Sequence, residues 1–327
     1  MNTISFPGLG ISPFKVDPTA IKIGGFGIQW YAIIITFGMI LAFLYAKNRA
    51  KYEGITGDDI YDVTIWCILF GIIGARLYYV IFKIDEYIVT EGTFWQNVKD
   101  TLLGIINIRN GGLAIYGGII VGVLVGYFIS KKKHIRFPVL ADVAAPAIMI
   151  GQILGRWGNF FNAEAFGGET SLPWRMGLMN ANGDWIHVHP TFLYESLWNL
   201  VGFVLIAIFY KKKKYNGQVF LFYVSWYGLG RAFIEGLRTD SLYLGPLRVS
   251  QILGLAAFAV GTVLFFYFMK KTPEIMKLVP ASVAEPSEVE AVEDTGSSKD
   301  DEDSEANEDM TENTTETESE NKDGETD

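Results

Sequence analysis

Three arginine-bearing stretches are otherwise too apolar to carry charge: GARLYY with Arg76, GQILGRWGNFFNAEAFG with Arg156, and GLGRAFIEGLRTDS with Arg231 and Arg238. An arginine at a bilayer centre costs about 2.5–3.5 kcal/mol on insertion scales, so each needs a physical reason. Snorkelling to the headgroup layer is the plainest one, and for Arg76 it stands level with any functional reading. Arg156 has more around it. On a continuing helix Asn159 shares its face, Gly155 and Gly158 leave room for a bulky group, and Glu164 follows. A planar guanidinium beside an amide donor suits a pair of phosphate oxygens, with helix capping by Asn159 as the competing explanation. Arg231, Glu235 and Arg238 sit at i, i+4 and i+7, one helix face. On an exposed helix an Arg231–Glu235 pair is worth only a few tenths of a kcal/mol; in lipid it would neutralise a buried charge. Arg156 and Arg231 converging from two helices would bind a phosphodiester, a group that phospholipids carry and most small metabolites lack.

Other polar groups are more ambiguous. HVHPTFLYES places His187, His189, Tyr194 and Glu195 near the start of an apolar run, with Pro190 in the ordinary first-turn position. Either histidine could serve as a base, but an interfacial polar residue is the favoured reading. Tyr31, in IQWYAI, reads as an aromatic belt residue or as a polar group aimed inward. The single cysteine, Cys67, excludes an internal disulfide and a thiolate zinc site, and three histidines speak against a histidine-based one.

The elements that would hold these groups are helices able to cross a bilayer, whose core of about 30 Å needs roughly 20 apolar residues. Seven segments qualify, at about 26–46, 60–82, 111–130, 138–157, 190–210, 217–235 and 248–269. They are continuously apolar and do not alternate, which disfavours strands. The expected fold is therefore an all-α integral membrane protein of seven helices. The amino terminus lacks the basic and apolar regions of a cleaved signal peptide, so the first span is expected to be retained. No repeat of 20–50 residues is visible, which argues against repeat-built transporters.

Charge divides the chain. Its 327 residues hold 27 Lys+Arg against 36 Asp+Glu, a net charge of −9. Residues 281–327 contain 19 acidic residues and only Lys299 and Lys322, a local charge of −17, leaving +8 for 1–280. The tail, over 273–327, is expected to be disordered, because it cannot bury enough apolar surface to fold. Of the cations flanking the spans, 14 lie on one side (around Lys47–Lys51, Lys131–Arg136, Lys211–Lys214 and Lys270–Lys277) and 8 on the other, Arg109, Arg175 and Arg238 among them. The richer side is expected to be cytoplasmic, placing the amino terminus outside and the tail inside. The organisation expected is an external arm over 1–25, a membrane domain over 26–272 with a small external head at about 158–189, and the cytoplasmic tail. Gly118, Gly122 and Gly126 recur every four residues, as do Gly151 and Gly155, which reads as plain close helix packing.

GRWGNFFNAEAFG resembles the long signature of the prolipoprotein diacylglyceryl transferase family. IQWYA, GARLYY, NGGLAIYGG, HPTFLYES and GRAFIEGLRTD follow the family's order and approximate spacing, so the resemblance covers about residues 10–270. It implies seven spans in a bacterial cell membrane, with an external amino terminus and a cytoplasmic carboxy terminus. The reaction implied moves a diacylglyceryl group from phosphatidylglycerol to the lipobox cysteine thiol in the signal peptide of a prolipoprotein. A thioether forms and glycerol-1-phosphate leaves. By the same resemblance Arg156 and Arg231 stabilise the leaving phosphate, while Asn159 and Glu164 position the headgroup or those arginines. Glu235 and Arg238 support them, and Tyr31 and Gly167 line the substrate pocket. No metal, soluble cofactor or nucleic acid is implied; the partners are the two substrates and membrane lipids. One residue departs from the pattern: Tyr116 stands where many members carry a histidine regarded as a candidate base. Tyrosine, with a reference pKa near 10, is a poor base, so Tyr116 is expected mainly to orient the headgroup. A lipid transporter or flippase holding lipid phosphate with the same arginines is the principal alternative, and a non-catalytic lipid-binding scaffold is another.

Overall fold

The computed structural model describes residues 1–108, 111–180 and 182–271. Four strands come first, β1 (Asn2–Phe6), β2 (Ile11–Val16), β3 (Thr19–Ile23) and β4 (Phe26–Gln29). Five helices follow: α1 (Trp30–Ala50), α2 (Gly57–Phe82), α3 (Phe94–Ile106), α4 (Ile115–Lys132) and α5 (Phe137–Asn162). Strands β5 (Met176–Met179) and β6 (Trp185–Val188) then lead to α6 (Thr191–Phe209) and α7 (Gln218–Glu235). A two-residue hairpin pair, β7 (Tyr243–Leu244) and β8 (Leu247–Arg248), precedes α8 (Val249–Lys270).

Among the described residues six helices are long and apolar enough to cross a membrane: Trp30–Glu53, Gly57–Phe82, Ile115–Lys132, Phe137–Asn162, Thr191–Lys212 and Val249–Lys270. Phe37, Trp66, Ile72, Ile208 and Val263 stand exposed on them, as lipid-facing residues do and core residues of a water-soluble bundle do not. The remaining expected span, 217–235, is α7, a helix of 18 residues that carries Arg231 and Glu235. The acidic tail over 273–327 lies outside the described residues, as does Arg109.

The all-α expectation needs correcting outside the spans. The arm and the head are not separate: β1 pairs with β2 and also with β5 (Ile4 opposite Leu178), building an antiparallel sheet in the order β2-β1-β5-β6. Ile4, Val16, Met176, Leu178 and Val188 turn one face of that sheet onto Phe192 and the end of α5. These strands are short and contribute alternate residues to a core made with helices, so no continuous apolar run announces them.

α5 is the most buried of the spanning helices and packs against α1, α6 and α7. At its start, fully buried Asp142 accepts hydrogen bonds from the backbone N–H of Gly217 (2.8 Å) and Phe220 (2.9 Å), satisfying otherwise unpaired donors at the start of α7. Lys213, counted above among the flanking cations, is itself buried, paired with Asp142 (3.1 Å) and Glu53 (2.8 Å).

Arg76 neither snorkels nor waits for a ligand. Its Nε donates to the carbonyl of Ile105, Nη1 to those of Gly111 and Gly112, and Nη2 to those of Gly104 and Asn107, all at 2.7–2.9 Å. A cation here satisfies the unpaired carbonyls at the end of α3 and fixes the approach to α4.

The glycine expectation is corrected in part: an added Cβ on Gly118 would stand 3.4 Å from the Gly71 carbonyl oxygen and one on Gly126 3.6 Å from Cys67 Sγ, as close packing requires, but the other three differ. A Cβ on Gly122, Gly151 or Gly155 would meet nothing within 4 Å. Gly118, Gly122, Gly126 and Gly151 instead help line an apolar cavity of about 470 Å³ between α1, α2, α4 and α5. Close backbone approach occurs elsewhere, at Gly74 against Gly117 and at Gly228 against Gly254.

Candidate active site

The site forms where the end of α5, the start of α6 and the end of α7 meet beneath the sheet. α6 contributes Glu195, only 4% exposed, and the guanidinium groups gather on it. Arg156 Nη2 lies 2.5 Å from Glu195 Oε2; Arg231 Nη1 donates to Oε1 at 3.0 Å; Arg238 Nη1 stands 3.5 Å from the same oxygen. Glu235 lies one turn from Arg231, with Oε2 2.6 Å from Arg231 Nη2. That contact neutralises charge but is misaligned for a hydrogen bond, and buried Glu235 Oε2 has no hydrogen-bond partner among the described residues. Three guanidinium groups thus face two buried carboxylates, and Asp240 at the rim supplies a third negative charge.

Arg238 lies beyond the end of α7 and returns to the cluster because the chain there pairs with the head. Gly167 forms an antiparallel bridge with Arg238, and Gly168 N–H donates to the Leu237 carbonyl at 2.8 Å. A Cβ on Gly167 would stand 2.9 Å from that carbonyl oxygen and 2.7 Å from His189 Cβ, so glycine is needed for this approach. Asp240, at the rim, takes both Nε (2.9 Å) and Nη2 (2.7 Å) of Arg238, and this bidentate bond holds its carboxyl below the usual carboxylate range.

A second relay runs from Arg156 outward. Arg156 Nη1 faces Asn159 Oδ1 at 3.4 Å, and Asn159 Nδ2 donates to Glu164 Oε1 at 2.9 Å, as does Asn162 Nδ2 at 3.1 Å. Glu164 reaches back because α5 ends in a tight reversal: Ala163 (φ +51°) and Ala165 (φ +56°) are both left-handed, a conformation that costs a β-carbon residue about 1–2 kcal/mol. Backbone strain of this kind concentrates where a side chain must be aimed. Tyr31, on the first turn of α1, packs its ring over Gly158, where a Cβ would overlap it.

The structure thus brings together Arg156, Arg231, Arg238, Glu235, Asn159 and Glu164, with Tyr31 and Gly167 packed around them. Tyr116, at the start of α4, makes none of the contacts of the cluster given above; its hydroxyl shares a hydrogen bond with Ser250 Oγ on α8 (3.3 Å). His189 Nδ1 pairs with the Tyr194 hydroxyl at 3.2 Å, which also accepts from Trp174 Nε1, the arrangement of an interfacial polar residue. Glu195 is the residue that sequence reasoning named without assigning it a role. Its signal was available, since it is the one acid in the apolar run from Thr191 to Phe209, where an ionisable group marks function.

Chemically, a preformed cluster of planar cations, mostly screened from water, offers fixed donors to an anion with two or more oxygens and stabilises further negative charge on it. On α5 the face that lines the apolar cavity through Ile148 and Gly151 continues outward to Gly155 and Asn159.

A family model described as prolipoprotein diacylglyceryl transferase matches residues 18–267. A phosphatidylglycerol–prolipoprotein diacylglyceryl transferase of Finegoldia magna is 46% identical over 257 residues, covering 78% of this chain and 97% of that relative. The protein of the same name from Clostridioides difficile is 44% identical over 256 residues, with 78% and 97% covered. That from Listeria welshimeri is 43% identical over 267 residues, with 80% and 92% covered.

Proposed function

The chain belongs to the prolipoprotein diacylglyceryl transferase family, and from that premise we propose that its arginine cluster carries the transfer of a diacylglyceryl group from phosphatidylglycerol to a prolipoprotein. The observation that carries the reading is the gathering of Arg156, Arg231 and Arg238 around Glu195.

The lipobox cysteine sulfur attacks the glycerol carbon that bears the phosphate, the carbon–oxygen bond breaks, and a thioether forms as glycerol-1-phosphate leaves. The leaving phosphate gains negative charge, which Arg156 and Arg231 stabilise through fixed donors. Glu195 and Glu235 hold those guanidinium groups aligned. Asn159 and Glu164 set the angle of Arg156, Arg238 closes the cluster from the head side, and Tyr31 and Gly167 shape its walls. A free thiol has a pKa near 8.5, and the thiol proton passes to a phosphate oxygen of the departing group. The acyl chains follow the open face of α5 into the apolar cavity.

Tyr116, hydrogen-bonded to Ser250, orients the headgroup. The Tyr116→Phe enzyme is expected to fold and to lose no more than the roughly 0.5–1.5 kcal/mol of one hydrogen bond, about tenfold at most in kcat/KM. A loss as deep as that of an arginine variant would assign the hydroxyl to the chemistry. Gly122→Leu and Gly151→Leu place new side chains where nothing stands within 4 Å, so both variants are expected to insert and fold. Their activity should fall more on long-chain than on short-chain phosphatidylglycerol in a paired rate assay; an equal fall on both would remove the acyl chains from the cavity.

The protein is a multi-pass membrane protein. Our reading makes α7 the seventh span, since its start is capped by Asp142 at the start of α5 while its end meets Glu195 at the start of α6. The excess of cations on the opposite flanks supports an external position for the cluster. The acidic tail then lies in the cytoplasm, after a seven-span catalytic domain.

The direct test is mass spectrometry of a synthetic lipobox peptide incubated with purified protein and phosphatidylglycerol. A diacylglyceryl adduct on the cysteine is expected. A folded protein that binds the lipid and leaves it intact would be a lipid carrier instead.

A further inference from the structure

Between α2 and α4 the chain forms α3, a helix with no buried residue. At 13 residues it is about 20 Å long, too short to cross a hydrocarbon core of about 30 Å. Its two flanks are chemically unlike. Asn97, Thr101 and Gly104 face the protein: Asn97 exchanges hydrogen bonds with Gly92 (2.8 and 3.2 Å), Thr101 Oγ1 accepts from Val89 N–H (3.1 Å), and the Gly104 carbonyl accepts from Arg76. The opposite side carries Trp95, Leu102 and Ile106, which are 77%, 52% and 72% exposed, with Lys99 among them, and Phe94, 71% exposed, stands at the first residue of the helix.

Polar groups held against the protein and large apolar groups turned away are the reverse of a water-soluble surface helix. The start is fixed by Thr93 N–H donating to Gln96 Oε1 at 3.1 Å, and the end by the Arg76 carbonyl clamp, so the helix is held in this attitude and not merely tethered. The residues on either side, Ile81 and Phe82 at the end of α2 and Ile115 at the start of α4, are exposed apolar groups of spanning helices. The apolar face of α3 thus continues the surface that those helices turn to lipid.

We infer that α3 is an interfacial helix whose Phe94–Trp95–Leu102–Ile106 face is seated in the headgroup–acyl boundary of the leaflet on the arginine-cluster side. Lys99 and Asp100 are the only charges on the helix and cancel, so apolar burial drives the seating and anionic lipid is not required. This inference is independent of the proposed reaction.

The full chain reconstituted in vesicles tests it through the tryptophan emission that disappears in Trp95→Phe. That component is expected to be quenched by lipids brominated near the top of the acyl chain, to resist aqueous iodide, and to behave alike in phosphatidylcholine vesicles with and without phosphatidylglycerol. Asp100→Trp, on the opposite flank, should add emission with the reverse pattern. If Trp95→Phe does not fold, Phe94→Trp supplies the same reading as added bromolipid-quenchable emission. Iodide quenching of the Trp95 component without bromolipid quenching would overturn the inference. So would shielding that appears only when a lipobox peptide is added, which would make α3 a peptide-docking helix.

Discussion

Replacing Arg156 by alanine is expected to lower the rate of diacylglyceryl transfer by about 10²–10³-fold, the usual loss when one fixed donor to a developing anion is removed. The side chain sits 2.5 Å from Glu195 and is aimed by Asn159, so it is already placed before substrate arrives. Arg156→Lys should recover little of this. A lysine carries the charge but not the planar fork, and cannot contact Glu195 and a phosphate oxygen pair together. The measurement is kcat/KM on a lipobox peptide, with thermal unfolding in detergent as the control for folding. Glu195 retains Arg231 and Arg238 in the variant, so the unfolding midpoint should move little. An alanine variant within tenfold of wild type would remove Arg156 from the chemistry.

Glu195→Ala should act first on stability. The carboxylate is buried and shared by three arginines, and removing one member of a buried ion pair costs about 3–5 kcal/mol because the remaining charges lose their partner. A clear fall in the unfolding midpoint is expected, with loss of activity in whatever remains folded. Glu195→Gln separates the two roles of the residue. It keeps the side-chain shape and one acceptor oxygen but removes one negative charge from the cluster. The glutamine enzyme is expected to bind phosphatidylglycerol more tightly, seen as a lower KM, while kcat falls because the guanidinium groups are no longer aligned. A glutamine variant with wild-type kcat and KM would show that Glu195 only fills space.

The chain's own chemistry made much of this legible. Arginines inside apolar runs are conspicuous because lipid penalises them, and the i, i+4 spacing of Arg231 and Glu235 placed them on one helix face; Arg238, read onto the same face, lies beyond the end of α7 and comes back through its pairing with Gly167. Arg156 and Asn159 were readable in the same way. What was not legible was the closing partner. Glu195 and Arg231 lie 36 residues apart, and nothing in the periodicity of either helix says which turn of one meets which turn of the other.

The same division holds for the fold. Hydropathy and length determined the spanning helices, because hydrocarbon imposes a local requirement that a run of about 20 apolar residues meets by itself. Motif order determined the family. Tertiary structure alone decided that β1 of the amino-terminal arm completes the sheet of the head, since strand pairing is a long-range bond between segments that carry no mark of each other. It decided too that Gly122, Gly151 and Gly155 border open space while Gly74 and Gly117 touch, two outcomes that glycine spacing leaves identical. Arg76 and Arg156 make the same point with charge. Each is an arginine near the end of an apolar helix, but one is saturated by five backbone carbonyls and the other shares a carboxylate with two more arginines. Sequence determines where a charge must be explained, and packing determines which groups explain it.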